Sequence, residues 1–245
     1  FLRLMYSSAF FFLKVRAAYH FFIFQNTDDK DLFIKKGYVS IKNARLIEGN
    51  GVNLEDFKGT VEHTNTNLVF LMATKRLVKS KGVEEFLRAS KELFNKYPQI
   101  SFKMAGHFNQ EDPDTISRII FSEIKDSHIE YLGDVSYQQM KALYKEASVF
   151  VLPSHREGLP KVALEAASSG LPLILSDVPG CRSCVKDGVN GFLFDQEDVT
   201  DLIRKMEILI QNPELIKSMG KESRRLVEDR FSNEVIAKQY LRLLQ

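Results

Sequence analysis

From residue 68 onward, short apolar runs alternate with amphipathic stretches in a near-constant rhythm, and this alternation restricts the possible folds more than any other feature. Residues 68–73, 100–105, 129–132, 149–152 and 172–175 are apolar runs of strand length. Residues 83–94, 114–124, 137–146 and 160–169 repeat their apolar positions at helical spacing. Strands alternating with helices predict a parallel sheet. Two or three amphipathic helices follow Asp195. In open parallel sheets, ligands bind beyond the carboxyl ends of the strands, near helix starts with free backbone amides. The residues that carry chemistry are therefore expected at strand-to-helix turns.

The region before residue 68 is less regular. Residues 2–15 read as a helix and 21–24 as a short buried strand that ends at Gln25-Asn26-Thr27-Asp28-Asp29. The Asp28-Asp29 pair precedes a second helix and reads as its N-terminal cap rather than as a metal motif. A further strand leads into Glu48-Gly49-Asn50-Gly51-Val52-Asn53, whose two glycines flank an asparagine. Such a bend lets the backbone approach a partner closely. The polar stretch 55–67 reads as a connector.

Length and charge narrow the function classes. At 245 residues the chain fits one large domain, or one domain plus a piece of another. With 44% hydrophobic and 27% charged residues it has the balance of a globular protein. The 34 basic and 32 acidic residues leave a net charge of +2, so no global field points to nucleic acid as a partner. Basic residues do cluster early (Arg3, Lys14, Arg16, Lys30, Lys35, Lys36, Lys42 and Arg45), which suits either a solvated helix face or an anionic membrane surface. Residues 1–24 are apolar, but Arg3, Lys14, Arg16 and His20 interrupt them, whereas a spanning helix needs about 20 nearly uncharged residues. Beginning at Phe1 with no cleavage-site pattern, the chain reads as a trimmed or truncated product. Cys181 and Cys184 are spaced C-x-x-C, yet no second ligand pair exists to complete a zinc site, so they read as small buried residues in a turn.

Three stretches carry candidate chemistry. The run Pro153-Ser154-His155-Arg156-Glu157-Gly158-Leu159-Pro160-Lys161-Val162-Ala163-Leu164-Glu165-Ala166 leaves a buried strand, turns at glycine and enters a helix through proline. It sets Glu157 just ahead of the helix and Glu165 inside it, so that both carboxylates face one crevice. Each ionised carboxylate offers two acceptor oxygens to the paired hydroxyls of a sugar or ribose, and the helix start favours phosphate. The same spacing also describes a helix-start charge and a solvated face residue. The second stretch, Arg76-Leu77-Val78-Lys79-Ser80-Lys81-Gly82, follows one strand and precedes a helix. It fits a diphosphate clamp, and equally an ordinary exposed turn. The third, Met104-Ala105-Gly106-His107, ends a strand in a small residue that leaves room for a base or sugar. His107 and His155 read as partly exposed loop residues rather than acid–base groups. No Ser-His-Asp order, H-E-x-x-H motif or G-x-x-x-x-G-K-[ST] loop is present, which removes the commonest hydrolase and nucleotide-triphosphatase readings.

Taken together, these stretches resemble family 4 retaining glycosyltransferases of the GT-B fold, whose E-x7-E motif is matched by Glu157 and Glu165. Leu132-Gly133-Asp134-Val135, the run 147–154 and Asp187-Gly188-Val189-Asn190-Gly191-Phe192-Leu193 fit the surrounding segments. The resemblance implies an α/β, Rossmann-like donor domain with a parallel sheet over 57–230. Residues 1–56 would be the end of an N-terminal acceptor domain, and 231–245 a helix crossing back to it. It implies catalytic roles for Glu157, Arg76 and Lys81, with Glu157 on the transferred sugar and the two cations on the leaving diphosphate. Glu165 would hold the ribose, and Gly158, Leu159, Lys161, Gly51 and His107 would complete the donor contacts. A same-face attack that uses the leaving phosphate as base needs no metal or other cofactor. Gly51-Val52-Asn53 and Val178-Pro179-Gly180-Cys181-Arg182 are similar to the bacterial branch that extends lipid-linked sugars in capsule, O-antigen or glycan assembly. The implied donor is a UDP-linked hexose or N-acetylhexosamine, and the implied acceptor is lipid-linked or an oligosaccharide. No nucleic-acid partner is implied. The location would be cytoplasmic, or peripheral on the inner face of the bacterial plasma membrane. Pro160 stands where many members carry glycine, and Ser183-Cys184 replaces the usual acidic–aliphatic pair. A non-catalytic nucleotide-sugar-binding module is the alternative from a different class.

Overall fold

The computed structural model describes residues 21–49, 51–57 and 68–243. The helix expected over 2–15 and most of the connector over 55–67 lie outside them. The chain opens with β1 (Phe22–Phe24), α1 (Thr27–Lys35) and β2 (Ala44–Leu46). β1 and β2 pair in parallel as a separate two-stranded sheet. Asn26, not the Asp28-Asp29 pair, caps α1: its side chain accepts from the Asp29 amide at 2.8 Å. The two aspartates sit in the first turn, where negative charge meets the positive end of the helix dipole.

The main sheet has six parallel strands: β3 (Val69–Arg76), β4 (Ser101–His107), β5 (Ile129–Gly133), β6 (Val149–Leu152), β7 (Leu173–Ser176) and β8 (Gly191–Phe194). Their spatial order is β5-β4-β3-β6-β7-β8. The strand order thus reverses between β3 and β6, the two strands that begin the halves of the doubly wound sheet, and this is where such sheets bind ligands. The parallel α/β expectation holds for this unit, and β6 and α4 (Tyr137–Glu146) fall on the residues expected from periodicity.

Strand alternation divides the core between the two faces of the sheet. Phe70 and Met72 pack on one side with Phe86, Phe102, Leu202 and Met206, beneath α2 (Val83–Lys96), α3 (Arg118–Lys125) and α7 (Val199–Gln211). Leu71 and Ala73 pack on the other with Tyr144, Phe150, Ala163 and Val227. That side is covered by α4, α5 (Lys161–Ser168) and α8 (Pro213–Arg230). The short α6 (Cys181–Cys184) lies between β7 and β8, and α9 (Asn233–Leu243) ends the described chain.

One helix starts later than its periodicity suggests. α3 begins at Arg118 rather than at residue 114, because the preceding residues have other bonding partners. The Asp112 carboxylate accepts from the Asp114 amide at 3.0 Å, and the Asp114 carbonyl accepts from the Lys79 amide at 2.8 Å. Ser117 then caps the helix by accepting from the Ile120 amide. Aspartates that satisfy nearby amides in this way compete with helix formation.

Candidate functional site

The turns after β3 and β6 meet beside the point where strand order reverses. After β3, a single 3-10 turn over Lys79–Lys81 leads to Gly82 at φ +70°. A Cβ on Gly82 would lie 2.0 Å from the Pro153 carbonyl oxygen, so only glycine lets this turn rest on the segment leaving β6. His155 continues the contact, with its amide donating to the Ser80 carbonyl at 2.9 Å and its Nε2 2.7 Å from Glu85 Oε1. On the far side, Gly180 passes the carbonyls of Glu157 and Gly158 so closely that a Cβ would come within 2.7 Å of both.

This packing joins the two sequence stretches chemically. Lys81 Nζ lies 2.7 Å from Glu157 Oε1, and the buried Ser154 hydroxyl donates to the same oxygen at 2.7 Å. The other oxygen of Glu157 keeps its acceptor capacity. A cleft of about 300 Å³ opens here. Lys75, Arg76, Lys81 and Lys161 line it against the single carboxylate of Glu157, which suits an anion. It also runs along the first turn of α5, whose leading amides have no intrahelical acceptor. Pro160 occupies the cap position of that helix, one residue before the place expected for it.

Glu165 is neither solvated nor a surface charge: it is buried at 6% exposure. Burial pushes its carboxyl above the ordinary range, opposed by Lys161 at 3.8 Å and by a hydrogen bond from the Tyr144 hydroxyl at 3.3 Å. Arg76 is largely exposed and pairs with Asp112, whose carboxyl is held below its usual range first by the Asp114 amide and also by Arg76.

The remaining sequence candidates divide between this cleft and its surroundings. Leu159 and Lys161 line the cleft, and Gly158, between two lining residues in the chain, is not itself part of the lining. His107 is the exposed last residue of β4, paired in register with Arg76, so it belongs to a strand rather than a loop. Gly51 faces elsewhere: a Cβ there would meet Asn233 Oδ1 at 2.5 Å, at the start of α9. Its neighbour Gly49 is the one that packs on Leu159. Cys181 and Cys184 are buried free thiols, as expected, but they bound the short helix α6 rather than a turn, and burial pushes the Cys181 thiol up to about 12.

Four contributors escaped the sequence reading: Ser154, Tyr144, Asp112 and Asn26. Asn26 is buried, and besides capping α1 it donates from Nδ2 to the Gly158 carbonyl at 2.8 Å, 132 residues away. Arg182 adds a contact to Asp28 at 3.3 Å. The segment before β3 thereby touches the loop that carries Glu157. Ser154 left a signal as the hydroxyl three residues ahead of Glu157 in the quoted run, and Asn26 as the capping-type residue in the polar turn ahead of α1.

Residues 52–226 match the family model described as glycosyl transferases group 1. An uncharacterized glycosyltransferase of Haemophilus influenzae is 30% identical over 168 residues, covering 68% of this chain and 46% of that one. The N,N'-diacetylbacillosaminyl-diphospho-undecaprenol alpha-1,3-N-acetylgalactosaminyltransferase of Campylobacter jejuni is 26% identical over 237 residues, 91% of this chain and 60% of that one. The chain spans about half the length of the first relatives it matches. Among solved structures, Anabaena Alr3699/HepE in complex with UDP and glucose superposes with a TM-score of 0.79 at 19% identity, covering 91% of this chain and 62% of that one. At that identity the likeness concerns the fold, which is that of GT-B glycosyltransferases. No helix among the described residues is long and apolar enough to cross a membrane.

Proposed function

The chain belongs to the group 1 glycosyl transferases, and from that membership we propose that it binds a UDP-linked hexose or N-acetylhexosamine and serves its retaining transfer to a lipid-linked or oligosaccharide acceptor in surface polysaccharide synthesis. The observation that carries this reading is the joining of Lys81 to Glu157 in a cation-lined cleft at the start of α5, with Glu165 buried one turn inside that helix. The activity of the Campylobacter jejuni relative supports the lipid-linked acceptor. UDP in the Anabaena structure supports the choice of nucleotide.

In this reading residues 57–230 form the donor-binding unit, with 1–56 and 231–245 on the acceptor side. The diphosphate lies between Arg76, Lys81 and the first-turn amides of α5. Negative charge grows on the leaving phosphate as the glycosidic bond breaks, so donors fixed there lower the barrier more than they tighten the ground state. The protein's own cations supply that stabilisation, without a metal. Glu157 is held by Lys81 and Ser154 through one oxygen and accepts sugar hydroxyls with the other. Glu165 takes the ribose hydroxyls. The leaving phosphate receives the proton of the attacking acceptor hydroxyl on the same face of the sugar.

Calorimetric titration with UDP and a panel of UDP-sugars tests this directly. Lys81→Ala and Glu165→Ala should each weaken binding at least about tenfold, the loss expected on removing a charged hydrogen-bonding partner. Unchanged affinity in both variants would mean that the nucleotide does not bind here. Transfer of labelled sugar from the bound donor to a lipid-linked acceptor then separates a complete transferase from a unit that only binds the donor.

A further inference from the structure

The buried carboxylate of Glu165 has a partner that the nucleotide cannot reach. Tyr144, on the neighbouring helix α4, is fully buried. Its ring is fixed edge-on by Phe57 at 5.7 Å and Phe150 at 6.1 Å between centroids. Its hydroxyl donates in a shared bond to the Val162 carbonyl at 3.1 Å and to Glu165 Oε2 at 3.3 Å. The other oxygen, Oε1, points towards Lys161 Nζ at 3.8 Å, and Lys161 lines the cleft. One oxygen of Glu165 is thus tied into the core and the other lies on the side of Lys161, a residue of the cleft wall.

We propose that Tyr144 is a positioning residue for nucleotide binding: its buried hydroxyl anchors Oε2 of Glu165 so that Oε1 stands ready to accept a ribose hydroxyl. The proposal rests on the assignment of Glu165 to the nucleotide and adds a residue that never touches the ligand. The chemistry is consistent from both partners. Burial, with Glu165 as the next cause, lifts the Tyr144 phenol well above its ordinary value, so it remains a donor at any working pH. Glu165 is pushed towards its neutral form by burial, and Lys161 and the Tyr144 hydroxyl together hold it back. The remaining groups on that side are Tyr137, also on α4, and the Asp56 and Lys141 side chains bonded around it. Tyr137 donates to Asp56 at 3.1 Å and is itself pushed up to about 12, first by burial, so it adds no charge near neutral pH.

The sign of the effect follows from which form the bond favours. A donor to the ionised carboxylate lowers its pKa, so removing the donor raises it and the neutral acid persists to higher pH. Tyr144→Phe deletes a single oxygen and keeps the ring. In the ligand-free protein, carbon-13 NMR of labelled glutamate carboxyls, with the Glu165 signal assigned by its absence in Glu165→Gln, should show the Glu165 midpoint moving upward in Tyr144→Phe. UDP affinity measured from about pH 5 to pH 9 should lose strength on acidification at a higher pH in Tyr144→Phe than in the native protein. At pH 7 the variant should bind UDP about three- to tenfold more weakly, the range of a typical single hydrogen bond, because the deleted bond acts on the ligand only through Glu165. In the Glu165→Gln background the Tyr144 substitution should cost nothing further.

An unmoved Glu165 midpoint overturns the proposal. So does an affinity loss with no displacement of the acid limb, which would make Tyr144 a packing residue only. Glu165→Gln binding UDP as tightly as the native protein, or native protein failing to bind UDP, overturns the nucleotide assignment itself and the proposal with it. The ligand-free titration keeps these failures apart, because it reads the bond from Tyr144 whether or not UDP binds.

Discussion

Two demands conflict at Glu165. Its proposed role on ribose hydroxyls needs the ionised form, whereas its surroundings favour the neutral one, chiefly through burial. Its folded pKa is therefore raised above the unfolded value, so its contribution to stability is complete below the ordinary carboxylate range and is lost as pH rises through the folded value. At neutral pH the ionised group is a cost to the fold. Glu165→Gln, which keeps the shape without the charge, should then stabilise the protein by about 1 kcal/mol at pH 7, or roughly 2–4 °C in Tm, while weakening UDP binding. The stability gain should shrink as pH falls through the raised folded value and be gone below the ordinary carboxylate range, where the side chain is neutral in both the folded and the unfolded protein. Denaturant unfolding of both proteins across this range measures it, and a gain that does not change with pH would contradict the account. Glu165 stood out through its spacing to Glu157 only once the family resemblance gave that spacing a meaning, since the spacing itself described a solvated face residue equally well. Its burial was not legible, because Tyr144, which packs against it, comes from α4, 21 positions away in the chain.

Among the elements, the turn after β3 and the turn after β6 act as one piece because Gly82 lies against Pro153. Gly82→Ala adds left-handed strain and forces a methyl onto a backbone oxygen, and should cost about 2–4 kcal/mol. It should also disrupt the Lys81–Glu157 pair, so that UDP binding falls by more than the lost stability alone accounts for. Urea unfolding and calorimetry on the same sample would separate the two effects, and full stability with full binding would refute the dependence. Element positions were largely readable where one face is buried and periodicity is undiluted, as in β6 and α4. They were least readable where side chains compete for backbone groups. Asp112 and Asp114 delay α3 by bonding to local amides and to the turn over Lys79–Lys81, and Asn26 rather than an aspartate caps α1. Such choices depend on which acceptor is nearest in space.

At the scale of the whole molecule, the segment that precedes the six-stranded sheet is tied to it by a few long-range polar contacts. Arg224 on α8 donates from Nη1 to the carbonyls of Ser168 at 2.7 Å and Phe57 at 3.0 Å, holding the end of 51–57 against α5. Arg230 donates from Nη2 to both carboxylate oxygens of Glu48, at 2.7 and 2.8 Å. Arg224→Leu strands those two carbonyls and should destabilise the protein by about 2–3 kcal/mol, with Arg224→Lys recovering only part because it lacks the planar fork. Thermal unfolding of the three proteins tests this, and equal Tm values for the native protein and the leucine variant would contradict it. The sequence alone determined the alternation of strands and helices, the parallel sheet that follows from it, and the two motifs at strand-to-helix turns, because hydrophobic period and turn chemistry act over a few residues. Tertiary structure decided that Lys81 meets Glu157 across 76 positions, that Tyr144 meets Glu165 across 21, and that Gly51 faces Asn233 instead of the cleft. Those contacts arise from how helices and loops settle on the sheet, and close packing of side chains far apart in the chain leaves no local pattern to read.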